Sequence, residues 1–335
     1  MAFPIFPDVA PANYTMGIRP NRRTKPSDSA ALQVTTFRPG ARWGINANFG
    51  ILGDASREDR ARLNRAISFV DGVQERGDYF WYYPRVKTLG QLSRESLLVD
   101  GSGYLQSNSS AALAAWTTSG TVLVNAYRID LRENATAEQA VTVVPGQTYS
   151  VTGEYHIEPT GGSSGAVRVG NSSGSDDLLS VDLTATSVGR FTYTFVAAGT
   201  TAFLTLANRS TGAVFFSQVG VASAGTINVA VAQSASSCRL EGFPGGDDRS
   251  LAVGDLLEIN GELKRLRSFV DAFSGGIADF SFAPAMRSAA PVGAPVIIHR
   301  PSVLMQAAPT DIQYNRAGMG TLTLQMSEVF PRSTG

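Results

Sequence analysis

Residues 251–267 read LAVGDLLEINGELKRLR, two short segments of alternating apolar residues separated by Asn260 and Gly261. Asparagine followed by glycine is a strong signal for a two-residue hairpin turn, because both positions must adopt a positive φ angle. Gly254 and Asp255 supply a further turn before the first segment. The stretch therefore predicts an antiparallel β-hairpin, and it contains no catalytic constellation.

The composition of the whole chain is that of a folded protein rich in β structure. The chain has 335 residues, enough for two or three domains, of which 43% are hydrophobic and 17% are charged. Its 34 glycines favour many turns. Lysine plus arginine equals aspartate plus glutamate at 28 each, so the net charge is zero, which disfavours a wholly basic nucleic-acid-binding protein.

Residue types that carry catalysis or bind metals are sparse. Cys238 is the only cysteine, which excludes an intrachain disulfide, and His156 and His299 lie in strand-like segments without a nucleophile motif. Asp176 and Asp177 leave calcium binding open as an alternative to a polar loop. Carboxylates are available for a glycosidase pair, but nothing in the sequence brings two of them together. We therefore expect no enzyme activity, no metal site and no cofactor.

Targeting and membrane signals are also absent from the sequence. No stretch approaches the ~18 consecutive apolar residues of a membrane-spanning helix. Residues 1–7 lack the basic start and the apolar core of a signal peptide. We expect the protein to be made in a cytoplasm.

The N-terminal part predicts a small mixed unit. Residues 31–49 predict a hairpin with its turn at Pro39 and Gly40. Residues 56–72 predict a helix that packs an apolar stripe against a sheet and closes at Gly72. Residues 78–84, with the sequence DYFWYYP, predict an aromatic-rich scaffold strand, and a carbohydrate platform is the alternative.

Residues 97–223 differ in composition, being rich in Ser, Thr, Gly and Ala. Short alternating segments separated by turns predict a β-sandwich. The predicted strands are Val122–Asn125, Arg128–Leu131, Ala140–Val144, Thr148–Ile157, Ala166–Val169, Leu178–Leu183, Arg190–Phe195, Ala202–Ala207 and Val214–Val221. The junctions with the rest of the chain are predicted at Lys87–Ser96 and Ala222–Gly225.

The order of aromatic motifs in this segment resembles a jelly-roll module of the carbohydrate-binding, galactose-binding-like type. The motifs are Trp116, Val144–Tyr149, Phe191–Ala197, Phe203–Leu206 and Phe215–Val221. The resemblance implies a jelly-roll fold and glycan contact through exposed aromatic faces. The candidate platforms are Trp116, Tyr127, Tyr155 and Phe216.

The two flanking segments carry a second resemblance, over residues 1–95 and 225–335. Its motifs are Arg38–Trp43 and Gly77–Pro84; Gly254, Asp255, Ile259 and Gly261; Pro284, Ala285 and Arg287; and Gly293, Pro295, Val296 and Pro301. In this order they resemble the tail proteins of long-tailed bacteriophages, and most of all the distal tail protein at the end of the tail tube.

The second resemblance implies a mainly β chain built from two parts. A split β-barrel or sandwich tail domain with one helix would comprise residues 1–95 and 225–335, and the galactose-binding-like jelly roll of residues 97–223 would be inserted in it. The implied function is structural: a ring, hexameric by resemblance, that links the tail tube to the baseplate hub at the virion tail tip. The implied partners are further copies of the chain, the tail tube protein, and hub or tape measure proteins. The jelly roll would project outward, where it could contact host surface polysaccharide, dock side fibres or serve as a spacer.

Two further expectations concern the channel and the alternatives. DNA would pass through the ring without being held, so we expect a neutral or acidic lumen, with Glu258 and Glu262 as candidate channel-facing residues.

An alternative function is a carbohydrate-binding receptor-recognition protein, or adhesin, of the tail. A glycan-degrading enzyme is the third hypothesis.

Overall fold

The structure is a computed structural model. It describes residues 6, 13–19, 22–25, 34–37, 41–50, 66–73, 79–84, 97–98, 115–125, 128–158, 164–184, 189–242, 251–268, 276–308, 312–314 and 320–329. Three clusters of buried side chains organise these residues, and each lies within one group of strands.

The described residues contain twenty-one strands. They are β1 (Asn13–Arg19), β2 (Arg22–Lys25), β3 (Val34–Phe37), β4 (Arg42–Gly50), β5 (Phe80–Tyr82), β6 (Thr117–Asn125), β7 (Arg128–Thr142), β8 (Thr148–Ile157), β9 (Gly165–Gly170), β10 (Leu179–Leu183), β11 (Gly189–Val196), β12 (Thr201–Asn208), β13 (Ala213–Ile227), β14 (Ser237–Glu241), β15 (Leu256–Ile259), β16 (Glu262–Leu266), β17 (Ala278–Ala283), β18 (Pro295–Ile297), β19 (Val303–Ala307), β20 (Ile312–Tyr314) and β21 (Gly320–Glu328).

Strands from opposite ends of the chain form one six-stranded sheet, which we call the chain-end sheet. Its order is β1-β4-β21-β19-β5, and β20 pairs with β21. Strand β4 therefore lies between β1 and β21. The hairpin predicted over residues 31–49 is wrong, because β3 pairs with β2 instead. The side chains of β4 alternate in burial as predicted, but the strands that pair with β4 are distant in sequence.

The predicted helix is present in its described part, residues 66–73. Ala66, Val70 and Val73 are buried in the core of the chain-end sheet, as the predicted apolar stripe requires. Gly72 lies inside the helix, so the predicted end at that glycine is wrong. Residues 56–65 lie outside the described residues.

Strands β6 to β13 form a two-layer sandwich, which we call the sandwich. One layer has the strand order β10-β9-β12-β7, and the other layer contains β11, β8 and β13. The β6–β7 hairpin belongs to both layers, because one half of β7 pairs with β12 and the other half pairs with β13. The hairpin bends between the layers at Gly120, Glu133 and Asn134, which all have positive φ angles. Side chains from both layers, such as Leu204 and Phe191, share one core.

Strand β13 continues from the sandwich into the next unit. It pairs with β8 as far as Ser223, and then with β18 from Ala224 to Thr226. The junction predicted at Ala222–Gly225 is therefore the interior of a strand and not a linker. At the other junction, the Leu97 N–H donates to the Val221 carbonyl at 2.7 Å. The chain thus enters and leaves the sandwich at neighbouring points, as an inserted module requires.

The end of β13 and strands β14 to β18 form a third group, which we call the hairpin unit. Its β15–β16 hairpin turns at Asn260 (φ 48°) and Gly261 (φ 79°), so the turn predicted from the Asn-Gly pair is confirmed. Leu257 faces the core of the hairpin unit, whereas Leu256 and Leu263 face the core of the chain-end sheet. The hairpin is therefore buried on both faces and separates two cores.

A buried ion pair joins the sandwich to the hairpin unit. The Arg190 guanidinium on β11 donates to both carboxylate oxygens of Glu258 on β15, at 2.8 and 3.1 Å. The same carboxylate accepts bonds from the backbone and hydroxyl of Ser302. Arg190 also lies over the rings of Trp81 and Tyr83, 5.0 and 5.9 Å from their centroids. One arginine of the sandwich therefore contacts both other units.

A second ion pair joins the hairpin unit to the last strand. The two terminal nitrogens of Arg287 donate to the two carboxylate oxygens of Glu328 at 2.6 Å each, and Nη2 also donates to the Ala41 carbonyl. Glu328 in turn accepts the backbone N–H of Trp43. The arginine thus connects three segments that are far apart in sequence.

The predicted fold class is confirmed. The chain is mainly β, one helix is present in the described residues, and the middle segment is a β-sandwich of the jelly-roll kind. Within the described ranges, no helix is both long enough and apolar enough to cross a membrane.

Candidate functional site

A polar groove of about 540 Å³ lies on the outer face of the β10-β9-β12-β7 layer of the sandwich. Alternation along β7 creates this face, because Ala137 and Val141 point into the core whereas Glu138 between them points outward. We call it the outer groove. Its described lining consists of Thr117, Thr118, Ser119, Asn134, Thr136, Glu138, Arg168, Ser173, Gly174, Asp176, Thr205, Ala207, Asn208 and Arg209.

Glu138 is held at the centre of the outer groove by three donors. The hydroxyls of Ser173 and Thr205 donate to it at 2.5 and 2.8 Å, and the Gly174 N–H donates at 2.7 Å. Partial burial raises the pKa of Glu138, but these three bonds outweigh it and lower the pKa below its usual value. Glu138 is therefore a charged hydrogen-bond acceptor near neutral pH, which does not suit a general acid.

Arg168 on β9 is the buried cation of the outer groove. Only 7% of the residue is exposed. Its Nη2 donates to Asp182 at 2.6 Å, and its Nε lies 3.4 Å from Asp176. Nη1 is buried and has no hydrogen-bond partner among the described residues. Because a buried donor without a partner costs free energy, a hydrogen-bond acceptor that reached this nitrogen after a shift of the Arg168 side chain would be stabilised there.

The loop between β9 and β10 closes one side of the outer groove. Asp177 organises this loop by accepting bonds from the Asn171 N–H at 3.0 Å, the Asn171 side-chain amide and the Ser175 hydroxyl at 2.8 Å. These bonds lower the pKa of Asp177 to about 2. The carboxylate is thus engaged by loop donors, and no cluster of three His, Cys, Asp or Glu side chains that could hold a metal occurs in the described part of the chain.

The remaining lining is rich in hydroxyl groups. Thr117, Thr118 and Ser119 on β6 are exposed along one rim, and Thr136 and Thr205 lie on the floor. None of the described lining residues is aromatic. The outer groove therefore offers hydroxyls, two carboxylates (Glu138 and Asp176) and two guanidinium groups (Arg168 and Arg209). This set suits hydrogen bonding to a polyol better than stacking on its ring.

Three of the four predicted aromatic platforms lie in the core instead. Trp116 is 6% exposed, Tyr155 9% and Phe216 1%, and all three belong to the core of the sandwich. A ring buried to this extent has no free face for a sugar, so their prediction as exposed platforms is wrong. Tyr127, the fourth candidate, lies outside the described residues. In an alternating strand a large aromatic gains more free energy by filling the core than by facing water.

The two acidic residues predicted to face a channel are both engaged inside the chain. Glu258 is 3% exposed and bonded to Arg190, so its prediction as a channel-facing residue is wrong. Glu262 accepts a bond from Lys264 Nζ at 2.6 Å and further bonds from the backbone N–H groups of Arg287 and Ser288. Its side chain is 12% exposed. Neither carboxylate is a free surface charge.

Apart from Asp176, the sequence did not indicate the residues that line the outer groove. Two strands were predicted at Arg128–Leu131 and Ala140–Val144, whereas the structure has one strand, β7, which includes the residues between them. Glu138 lay in that unassigned gap. The alternation of Ala135, Ala137 and Val141 with polar residues is the signal that marks Glu138 as outward-facing on a strand.

Similar solved structures are carbohydrate-binding modules and a phage tailspike. The module TmCBM61, solved with β-1,4-galactotriose, is 17% identical, with 38% of this chain and 97% of that chain covered and a TM-score of 0.29. The family 16 carbohydrate-binding module-2 is also 17% identical, with 37% and 98% covered and a TM-score of 0.30. The enzymatically active domain of tailspike protein 4 of bacteriophage CBA120 is 13% identical, with 38% and 21% covered and a TM-score of 0.29.

No protein-family model and no curated protein matches the chain. Strand pairing and core composition define the fold of the sandwich, and the contacts within the outer groove define the candidate site.

Proposed function

We propose that this protein is a structural phage tail protein whose sandwich contacts host surface glycans through the outer groove. The observation that carries the glycan contact is the buried Arg168, whose Nη1 has no partner among the described residues, beside the fixed acceptor Glu138. Hydrogen-bond donors and acceptors held rigidly in a concave site suit the hydroxyl groups of a sugar. The tail role rests on the resemblance of residues 1–95 and 225–335.

The finer form of the proposal is a distal tail protein that forms a ring at the virion tail tip. The ring would link the tail tube protein to hub or tape measure proteins and leave a channel for passive DNA passage. Among the described residues, the outer strands of the chain-end sheet, β1 and β5, each have a partner on one side only. Such edges can serve the two different faces that a head-to-tail ring needs.

The role is binding and assembly, and we propose no enzymatic step and no cofactor. Ring symmetry would place several outer grooves on one particle, so that weak single contacts would add up through avidity. Since Glu258 is buried, the channel wall would be formed by other residues. An adhesin that acts as a monomer or a trimer is the alternative, and the outer groove supports it equally.

The assembly state separates the two functions. The full chain should be measured by mass photometry and imaged by negative-stain microscopy, alone and after addition of tail tubes. A closed ring of six 35.4 kDa chains would have a mass of about 210 kDa. A ring, alone or on tubes, supports the tail-end role. A chain that stays monomeric under both conditions but binds host polysaccharide would contradict the ring and support the adhesin.

A further inference from the structure

Both arginines of the outer groove are already paired with carboxylates. Arg168 contacts Asp182 and Asp176, and Arg209 contacts Asp182 at 3.2 Å. Glu138 has hydroxyl and amide donors but no cationic partner among the described residues. The lining carboxylates Glu138 and Asp176, together with Asp182 beside them, outnumber the two guanidinium groups, so the local charge is negative. An anionic ligand would meet this negative charge, and it would have to compete with the carboxylates for either arginine.

The groups of the outer groove that lack a full set of partners suit a neutral ligand. Arg168 Nη1 is buried and donates to no described group, so a ligand oxygen would reach it after a shift of the side chain. A carboxylate has about four acceptor positions, and Glu138 uses three of them. Hydroxyl groups, which both donate and accept, can bond to each of these, and the threonine and serine hydroxyls of the floor and rim extend the same chemistry.

We propose that the outer groove selects neutral, hydroxyl-rich glycans and rejects acidic ones. In this proposal Arg168 donates hydrogen bonds to sugar hydroxyls and Glu138 accepts hydrogen bonds from them. This inference rests on the proposed glycan contact and names its ligand class. Because no described lining residue is aromatic, hydrogen-bond geometry and not ring stacking would set the specificity. Glycan binding at each outer groove is then weak, and its affinity depends strongly on the stereochemistry of the sugar hydroxyls.

The test compares one polymer before and after its carboxylates are converted to neutral hydroxymethyl groups. The full chain is titrated with a native acidic bacterial exopolysaccharide and with the same polymer after carboxyl reduction, and β-1,4-galactan serves as a further neutral probe. Binding is followed by affinity electrophoresis and calorimetry. We expect the carboxyl-reduced polymer or the galactan to bind at least about tenfold more tightly than the acidic polymer, because the acidic polymer meets like charge in the outer groove.

Variants connect the selectivity to the outer groove. Arg168→Met should weaken neutral-glycan binding at least about tenfold, and Glu138→Gln, which keeps the shape of the side chain, should weaken it by a smaller factor. The control is Arg239→Met, which removes an arginine from an exposed ion pair with Asp279 in the hairpin unit. It should leave binding unchanged. Thermal unfolding of each variant identifies any loss of fold.

The outcomes separate the inference from the function on which it rests. Tighter binding of the acidic polymer, or unchanged binding by both groove variants, would overturn the selectivity while leaving glycan contact in place. Failure to bind any polymer, including purified host surface polysaccharide, would overturn the proposed glycan contact, and the selectivity with it.

Discussion

At the scale of single residues, the motifs that resemble phage tail proteins are explained by contacts. Arg287 of the Pro284, Ala285 and Arg287 motif forms a two-point ion pair with Glu328, and the Ala285 carbonyl accepts a bond from Lys264 at 3.1 Å. Lys264 is fully buried, and its charge is balanced by Glu262. These residues connect segments of the hairpin unit and the chain-end sheet, so their role is structural.

Glu262 provides a prediction about the dependence of stability on pH. Burial raises its pKa, but Lys264 and the Ser288 donors outweigh burial and lower the pKa below its ordinary value of 4.5. The unfolded carboxyl therefore takes up a proton at a higher pH than the folded one. The stability that this carboxylate contributes is complete above about pH 4.5 and is lost as the pH falls through the folded pKa.

The measurement is the free energy of unfolding of wild type and Glu262→Gln in urea, from pH 7 to pH 3. We expect the variant to be less stable by about 2 kcal/mol near pH 7, because a charged hydrogen bond to buried Lys264 is lost, and the difference should shrink below pH 4.5. Asp279→Asn, in the exposed pair with Arg239, is the control and should change stability little. A difference that stays constant across this pH range would contradict the assignment.

At the scale of elements, the β15–β16 hairpin depends on its turn and on burial of both faces. Its strands alternate between two cores, so a shift in register by one residue would exchange the side chains that face each core. The turn residues Asn260 and Gly261 hold the register through their positive φ angles. The hairpin thus combines a strong local signal with a fully buried environment, and the prediction from sequence was correct.

Gly261→Ala tests the requirement for a positive φ angle at this turn. No atom lies within 4 Å of the position that a Cβ would occupy, so any loss reflects backbone strain alone. We expect a loss of about 1 kcal/mol in the free energy of unfolding. Gly17→Ala in β1 is the matched control, because that site is also open but its φ angle is not positive. Equal effects of the two substitutions would contradict the explanation.

At the scale of the whole molecule, the sandwich is attached by a continuous strand and by a buried ion pair. Strand β13 crosses from one unit to the next, and Arg190 and Glu258 meet at the junction with side chains that are 8% and 4% exposed. Removing one member of a buried pair leaves the other charge without compensation. The pair therefore couples the sandwich to the other two units.

A double-mutant cycle tests this coupling. Arg190→Met and Glu258→Gln should each lower the free energy of unfolding by about 3–5 kcal/mol, because each leaves an unpaired buried polar group or charge. The double variant should lose clearly less than the sum of the two. Unfolding in urea, followed by tryptophan fluorescence, gives all four values. Additive losses, within about 0.5 kcal/mol, would show that the two residues act independently.

Local patterns in the sequence were sufficient for the elements whose signals are local. The Asn260–Gly261 turn, the apolar stripe of the helix and most strands of the sandwich follow from turn chemistry and periodicity, which act between near neighbours. The prediction of strand partners failed where a strand pairs with strands that are distant in sequence. Strand β4 pairs with β1 and β21 and not with the nearby β3, because sheet neighbours are set by the packing of the complete core.

The candidate site was decided by tertiary structure. Trp116, Tyr155 and Phe216 were candidates because aromatic rings suit sugars, yet folding buries them, since large apolar surfaces gain the most free energy in the core. Glu138, Arg168 and Thr205 come from three different strands and converge only when β7, β12 and β9 pair side by side. The sequence by itself determined a mainly β chain with a jelly-roll middle segment. Only the fold brought the groups of the outer groove together, because their proximity depends on strand order, which short-range periodicity does not encode.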